Sequence, residues 1–149
     1  MGLLTFKGGI HPNDGKSLAK DKAIVEVLPE GDLVFPLSQH IGAPAAPIVK
    51  VGDQVLKGQK IAEAGGFVSA PVYSSVSGKV KAIAPYFTPT GGKVSSIIVE
   101  NDGAYTEAER LSTRPLEMLS KEEILNLIAE AGIVGMGGAG FPTRVKLSP

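Results

Sequence analysis

The chain of 149 residues has no cysteine and no tryptophan, only three tyrosines and five phenylalanines, and no surplus of either charge, with fifteen Lys and Arg set against fifteen Asp and Glu. Each gap removes a class of function. Without thiols there are no disulfides, no thiolate nucleophile, no zinc ribbon and no iron–sulfur cluster ligated by this chain itself. A balanced charge with no run of like sign offers neither a phosphate-tracking surface for nucleic acid nor a polybasic membrane patch. Long apolar runs are missing too. Residues 43–49 and 97–99 fall far below the roughly 20 residues a spanning helix requires. Residues 1–7 are too short and too polar to read as a signal peptide. The expectation is a cytoplasmic chain with no nucleic-acid partner and no direct membrane span.

What is abundant is glycine (19) and proline (11), together about a fifth of the chain, against roughly 12% in average usage. An apolar fraction of 43%, dominated by Val, Ile, Ala and Leu, argues against disorder. Many short strands joined by tight turns account for both. The length suits one ordinary domain, or a domain of about 110 residues with part of a second.

Period-2 apolar patches separated by turn residues run from residue 5 to residue 110. Ala23-Ile24-Val25-Glu26-Val27-Leu28, the turn Pro29-Glu30-Gly31-Asp32 and Leu33-Val34-Phe35-Pro36-Leu37 predict a hairpin. Further strands are expected over residues 48–51, 54–56, 59–64, 78–83 and 95–100. The fold class is therefore mainly β, a small sandwich or barrel over residues 1–105. Val25, Val27, Val55, Ile61, Val80, Ile83, Ile98 and Val99 are its expected core. Residues 106–119 read as a linker. Ser120 and Glu123 form a capping box before Ile124, Leu127, Ile128 and Ala131, with Gly132 as the stop just past the helix. The apolar stripe of this helix finds nothing obvious to pack on in a finished β domain, so residues 120–149 are assigned to the start of a second, truncated domain.

After that helix come four glycines in six positions: Gly135, Gly137, Gly138 and Gly140. Such a loop brings backbone N–H groups close to an anion. Gly135, Gly137 and Gly140 satisfy G-x-G-x-x-G, but the full strand before it, the helix after it and the downstream acidic residue of a dinucleotide fold are not expected here. The loop is thus read as half of a site in a longer protein, with residues 135–149 as the most mobile part of this chain. His11 and His40 are the only histidines. Without cysteine or a suitably spaced carboxylate they make no metal site, and His11, before Pro12 in a glycine turn, reads as a loop-fixing hydrogen-bonding group. No catalytic triad or carboxylate pair emerges from spacing.

Two longer strings carry a family resemblance. Residues 51–61, with the turns Gly52-Asp53 and Lys57-Gly58, followed by Ser77-Gly78-Lys79-Val80, resemble biotinyl and lipoyl domains of the barrel-sandwich hybrid fold. Residues 62–76, where that family carries its modified lysine, contain none. Residues 132–147, ending in Phe141-Pro142-Thr143-Arg144-Val145-Lys146-Leu147, look like the flavin- and NADH-binding motif of the nucleotide-binding subunit of respiratory complex I. Together with residues 6–12 and 36–45 they resemble the C subunits of Rnf-type electron-transport complexes. That resemblance implies the N-terminal part of an NADH-facing subunit that moves electrons between NAD and ferredoxin with ion translocation. It implies FMN, NADH and 4Fe-4S clusters in the full-length protein and none in this fragment. Gly135, Gly137, Gly138 and Gly140 would admit the cofactor against the backbone, and Lys146 would offset phosphate charge. It further implies other subunits of the complex and a ferredoxin system as partners, and a peripheral position on the inner face of the bacterial cell membrane. The fragment itself would be a docking domain without activity. A subunit of a sodium-pumping NADH:quinone reductase and a non-redox biotinyl-like binding module are the alternatives.

Overall fold

A computed structural model describes residues 12–89, 91–111 and 114–148. The expectations for His11 and for residues 6–11 lie outside these. Seven strands run in chain order as β1 (Asp32–Pro36), β2 (Ala46–Pro47), β3 (Gln54–Val55), β4 (Lys60–Glu63), β5 (Val72–Tyr73), β6 (Gly78–Phe87) and β7 (Lys93–Asn101). Two helices follow, α1 (Lys121–Glu130) and α2 (Thr143–Leu147). The strands form a four-stranded sheet in the order β1-β7-β6-β3 and a three-stranded sheet in the order β2-β4-β5, with every pairing antiparallel. Phe35, Leu37, Val55, Ile61, Ala62, Val72, Val76, Val80, Ile97 and Val99 form one buried cluster, to which both sheets contribute.

A register shift explains how the core is filled from β6. Val80 pairs with Val99, but Ala82 pairs with Ile98 and Ile83 with Ile97, so Lys81 is an extra residue in the strand. Strict alternation would send Val80 and Ile83 to opposite faces. The bulge reverses the parity between them. Val80 is accordingly buried, and Ile83 packs against the core alongside Ile97 and Val99. β7 has no such break, so Ile98 faces away and is only half-buried, which corrects its assignment to the core.

Three other expectations are corrected. Residues 23–28 form no strand and no hairpin, and Val25 and Val27 are 77% and 82% exposed. Their β propensity is real, but β1 pairs with β7 instead, and propensity alone supplies no partner. Residues 48–51 are not a strand either, because Lys50 N–H donates to Asp53 Oδ2 at 2.9 Å and closes the chain into a turn. Finally, a helix does follow the glycine loop, the five-residue α2.

α1 has the expected start and stop. The Ser120 hydroxyl accepts from Glu123 N–H while the Glu123 carboxylate accepts from Ser120 N–H, and Gly132, at φ +65°, ends the helix. The Ser120 backbone N–H, then Arg114 at 2.8 Å and the Ser120 hydroxyl, pull the Glu123 carboxyl from its usual 4.5 to about 2. A carboxyl depressed in the folded state stabilises it above the unfolded pKa, and this contribution fades as the pH falls from 4.5 toward 2. Amide protection factors in the first turn of α1 should therefore fall across that window. Ser120→Ala should cost about 1 kcal/mol of helix stability while keeping most of the pH response, because the Ser120 backbone N–H and Arg114 remain. Protection factors in α1 that stay flat from pH 5 to pH 2 would contradict this role of the cap.

Candidate glycine-loop site

The glycine loop is closed at its neck. Val134 bridges to Pro142, Gly135 N–H donates to Phe141 O at 2.9 Å, and Thr143 N–H donates to Ile133 O at 3.0 Å. Residues 135–141 therefore project as a closed loop between α1 and α2. Among the described residues, the N–H groups of Gly137, Gly138 and Ala139 donate to nothing. Such free donors on a glycine-rich crest are the groups an anion uses.

The β module holds this loop at two points and the end of α1 at a third. Ile41 N–H donates to Ala139 O at 3.0 Å. Gly140, at φ +64°, lies so close to the 39–40 backbone that a Cβ would stand 2.9 Å from Gln39 O and 3.0 Å from His40 Cα. At the end of α1 the Tyr73 hydroxyl donates to the Glu130 carbonyl, and the Lys60 ammonium pairs with the carboxylates of Glu130 and Glu63. Burial lowers the Lys60 pKa, but the hydrogen bonds to Glu130 and Glu63 outweigh it and leave the ammonium above its ordinary value.

His40 locks the wall beneath the loop. Ala70 N–H donates to Nε2 at 3.1 Å, Ala70 O lies 3.2 Å from the same nitrogen, and Nδ1 lies 3.1 Å from Ile41 O. The ring thus ties residues 38–41 to the β4–β5 connection. Among the described residues, no three His, Cys, Asp or Glu converge on a common point.

Between loop and wall lies a cleft of about 540 Å³ bounded by Ser38, Gln39, His40, Ile41 and residues 134–136 and 138–140. Of the expected site residues, Gly135, Gly138 and Gly140 border this cleft, whereas Gly137 sits on the crest outside it. Lys146 does not reach the cleft. Its Nζ lies over the Phe141 ring, 5.9 Å from the centroid, and 2.7 Å from where a Gly135 Cβ would be. Nothing local in the sequence marks the opposing wall of residues 38–41 as part of a site. Its one signal there is its place in the 36–45 string.

The β4–β5 connection, which replaces the carrier hairpin of biotinyl and lipoyl domains, is pinned through Ser69, whose hydroxyl accepts from Gly65 N–H and donates to Ala43 O. Its exposed tip is Phe67. Incubation with biotinyl or lipoyl ligases should leave residues 63–77 unmodified, because they offer no amine. A mass shift mapping there would overturn this.

The sequence profile of the RnfC barrel sandwich hybrid domain matches residues 4–104. The chain is similar to the C subunit of the proton-translocating ferredoxin:NAD(+) oxidoreductase complex of Clostridium ljungdahlii, at 50% identity over 99% of this chain and 32% of that protein. It is 44% identical to the C subunit of the Na(+)-translocating ferredoxin:NAD(+) oxidoreductase complex of Acetobacterium woodii, over 97% of this chain and 33% of that protein. It is also 44% identical to the C subunit of the ion-translocating oxidoreductase complex of Rhodobacter capsulatus, over 97% of this chain and 28% of that protein. The chain thus spans about a third of the length of these curated relatives.

Proposed function

Given that the chain belongs to the RnfC family, we propose that it is the N-terminal part of the NADH-facing subunit of a membrane-bound complex that moves electrons between NAD and ferredoxin with ion translocation. Its β domain acts as a mount for the cofactor loop. The carrying observation is the loop itself: free N–H groups on a crest of glycines, closed at the neck and anchored to the β module through Ile41 and Gly140. Two of those glycines have no internal reason to be glycine. Gly137 and Gly138 lie outside the left-handed region, and a Cβ on either would meet nothing within 4 Å. A requirement for close backbone approach by an external group accounts for them.

FMN fits this arrangement through its phosphate, and once bound it supplies the hydride and electron chemistry. The chain's own part is to present Gly137, Gly138 and Ala139 N–H to that phosphate and to hold the loop against the 38–41 wall. Lys146, folded over Phe141, lies near enough to the neck to lower the cost of bringing an anion there. Residues 120–149 then open the FMN- and NADH-binding domain, and the 4Fe-4S clusters belong to parts of the polypeptide that carry cysteine. Partner subunits keep the protein at the inner face of the cell membrane. No helix of the described residues is long and apolar enough to cross it. The relatives at 50% and 44% identity are named for different coupling ions, so that property is assigned to the partners rather than to this module.

Titration of FMN and NADH into this chain and into the full-length subunit tests the reading. Binding by the full-length subunit and not by this chain is expected. Tight, stoichiometric flavin binding by this chain alone would overturn the half-site reading, and a full-length subunit that binds neither would overturn the assignment.

A further inference from the structure

Residues 23–28 are the longest strand signal that the fold leaves unused. Among the described residues their N–H and C=O groups make no hydrogen bond. Ile24 is fully exposed, and Val25, Val27 and Leu28 are more than half exposed. The segment is nevertheless held in place. The carbonyl of Pro29, directly after it, accepts from Asn101 Nδ2 at 2.8 Å and from the Tyr105 hydroxyl at 2.5 Å, and β1 starts three residues later. The feature is thus an anchored, β-prone, apolar segment with every backbone group unpaired.

The chemistry of the missing partner can be read from the segment. Unpaired backbone donors and acceptors flanked by β-branched side chains ask for a strand edge. In strand geometry Ala23, Val25 and Val27 point one way, and Ile24 and Leu28 flank Glu26 on the other, so one face is wholly apolar and the run carries a single charge. Such near-continuous patterns belong to sheets covered on both sides, as in α/β domains. The longest sheet edge of this module, β1, does not qualify. A strand added to β1 would lie beside Val34 and Pro36, whose outer face is only half-covered, and would leave apolar side chains of its own in water. This disfavours a second copy as the partner. A lipid surface is disfavoured because unpaired backbone is not tolerated there.

We propose that residues 23–28 form an added strand on the sheet edge of an α/β domain in the remaining two-thirds of the same polypeptide, clasping that domain to the β module. This rests on reading the chain as the N-terminal part of a longer subunit. The glycine loop, tied to the 38–41 wall just beyond β1, and the added strand, just before β1, would then grip the downstream domain at two points.

Hydrogen exchange tests this independently of cofactor binding. Amides of residues 24–28 should exchange at least a hundredfold more slowly in the full-length subunit than in this chain. Val27→Pro, which deletes one strand N–H at an exposed position, should restore fast exchange there without changing β6 or β7. A photo-crosslinker at Val25 should capture peptides from the downstream part of the same polypeptide. Fast exchange of 24–28 in the full-length subunit, or crosslinks only to another subunit, a second copy or lipid, overturns the proposal. If FMN binds while 24–28 stay unprotected, the clasp fails and the functional reading stands. Protection without FMN binding gives the reverse.

Discussion

Val80→Asp should lower the stability of this chain by about 4 kcal/mol, the cost of an unpaired ionisable group in a core. Val80 is 1% exposed and lies near the start of β6, opposite Val99. Its backbone is already committed, with N–H donating to Asp53 O and C=O accepting from Gly52 N–H, each at 2.8 Å. A carboxylate placed there finds aliphatic neighbours and no free donor. It loses about 1.5–3 kcal/mol of valine burial and must also be protonated or drag water inward. For a chain of this size that corresponds to a fall in Tm of roughly 8–16 °C. The penalty should shrink as the pH drops, since the neutral acid is cheaper to bury. Val25→Asp is the control. At 77% exposure it should change stability by no more than about 0.5 kcal/mol. Equal thermal unfolding of the Val80 variant and the parent would refute the bulge-based assignment of the inner face.

In the full-length subunit, Gly138→Val should weaken FMN or NADH binding at least a hundredfold, about 2.7 kcal/mol, while leaving thermal unfolding of the β module unchanged. The two halves of this expectation have separate causes. Gly138 has no neighbour within 4 Å and no left-handed φ, so a branched side chain is accommodated by the protein itself. The same side chain would stand where a phosphate must approach the loop N–H groups. Gly140→Val should behave differently. Its φ of +64° and the 2.9 Å approach to Gln39 O leave no room for a Cβ, so the variant should free the loop from the 38–41 wall. Loss of the Ile41 to Ala139 hydrogen bond, seen as faster exchange of the Ile41 amide, would report it. Unchanged cofactor affinity in Gly138→Val would show that the crest is not the binding surface. Stability loss in Gly138→Val with none in Gly140→Val would reverse the assigned roles of the two glycines.

Local chemistry made part of this legible from the residues alone. The capping box at Ser120 and Glu123 and the stop at Gly132 are encoded within a dozen residues, so helix α1 could be placed from sequence. The inward positions Val55, Ile61, Val80 and Val99 were likewise legible, because each sits in a short apolar patch between turn residues. The family resemblance also rested on contiguous strings, and the match to residues 4–104 agrees with it.

What the sequence by itself determined was helix α1 with its caps and the inward positions of most core strands. Who pairs with whom was decided only in the folded structure. Residues 23–28 and β1 are adjacent and apolar, yet β1 pairs with β7, some 60 residues away in the chain. The bulge at Lys81 exists because β6 must serve both Val99 and Ile97, a demand visible only once β7 lies beside it. The second wall of the cleft, residues 38–41, reaches the glycine loop across about 100 residues of chain through one hydrogen bond and one glycine contact. Propensity and capping act within a few residues, whereas register, edge choice and cleft formation depend on the mutual burial of segments far apart, which no local pattern contains.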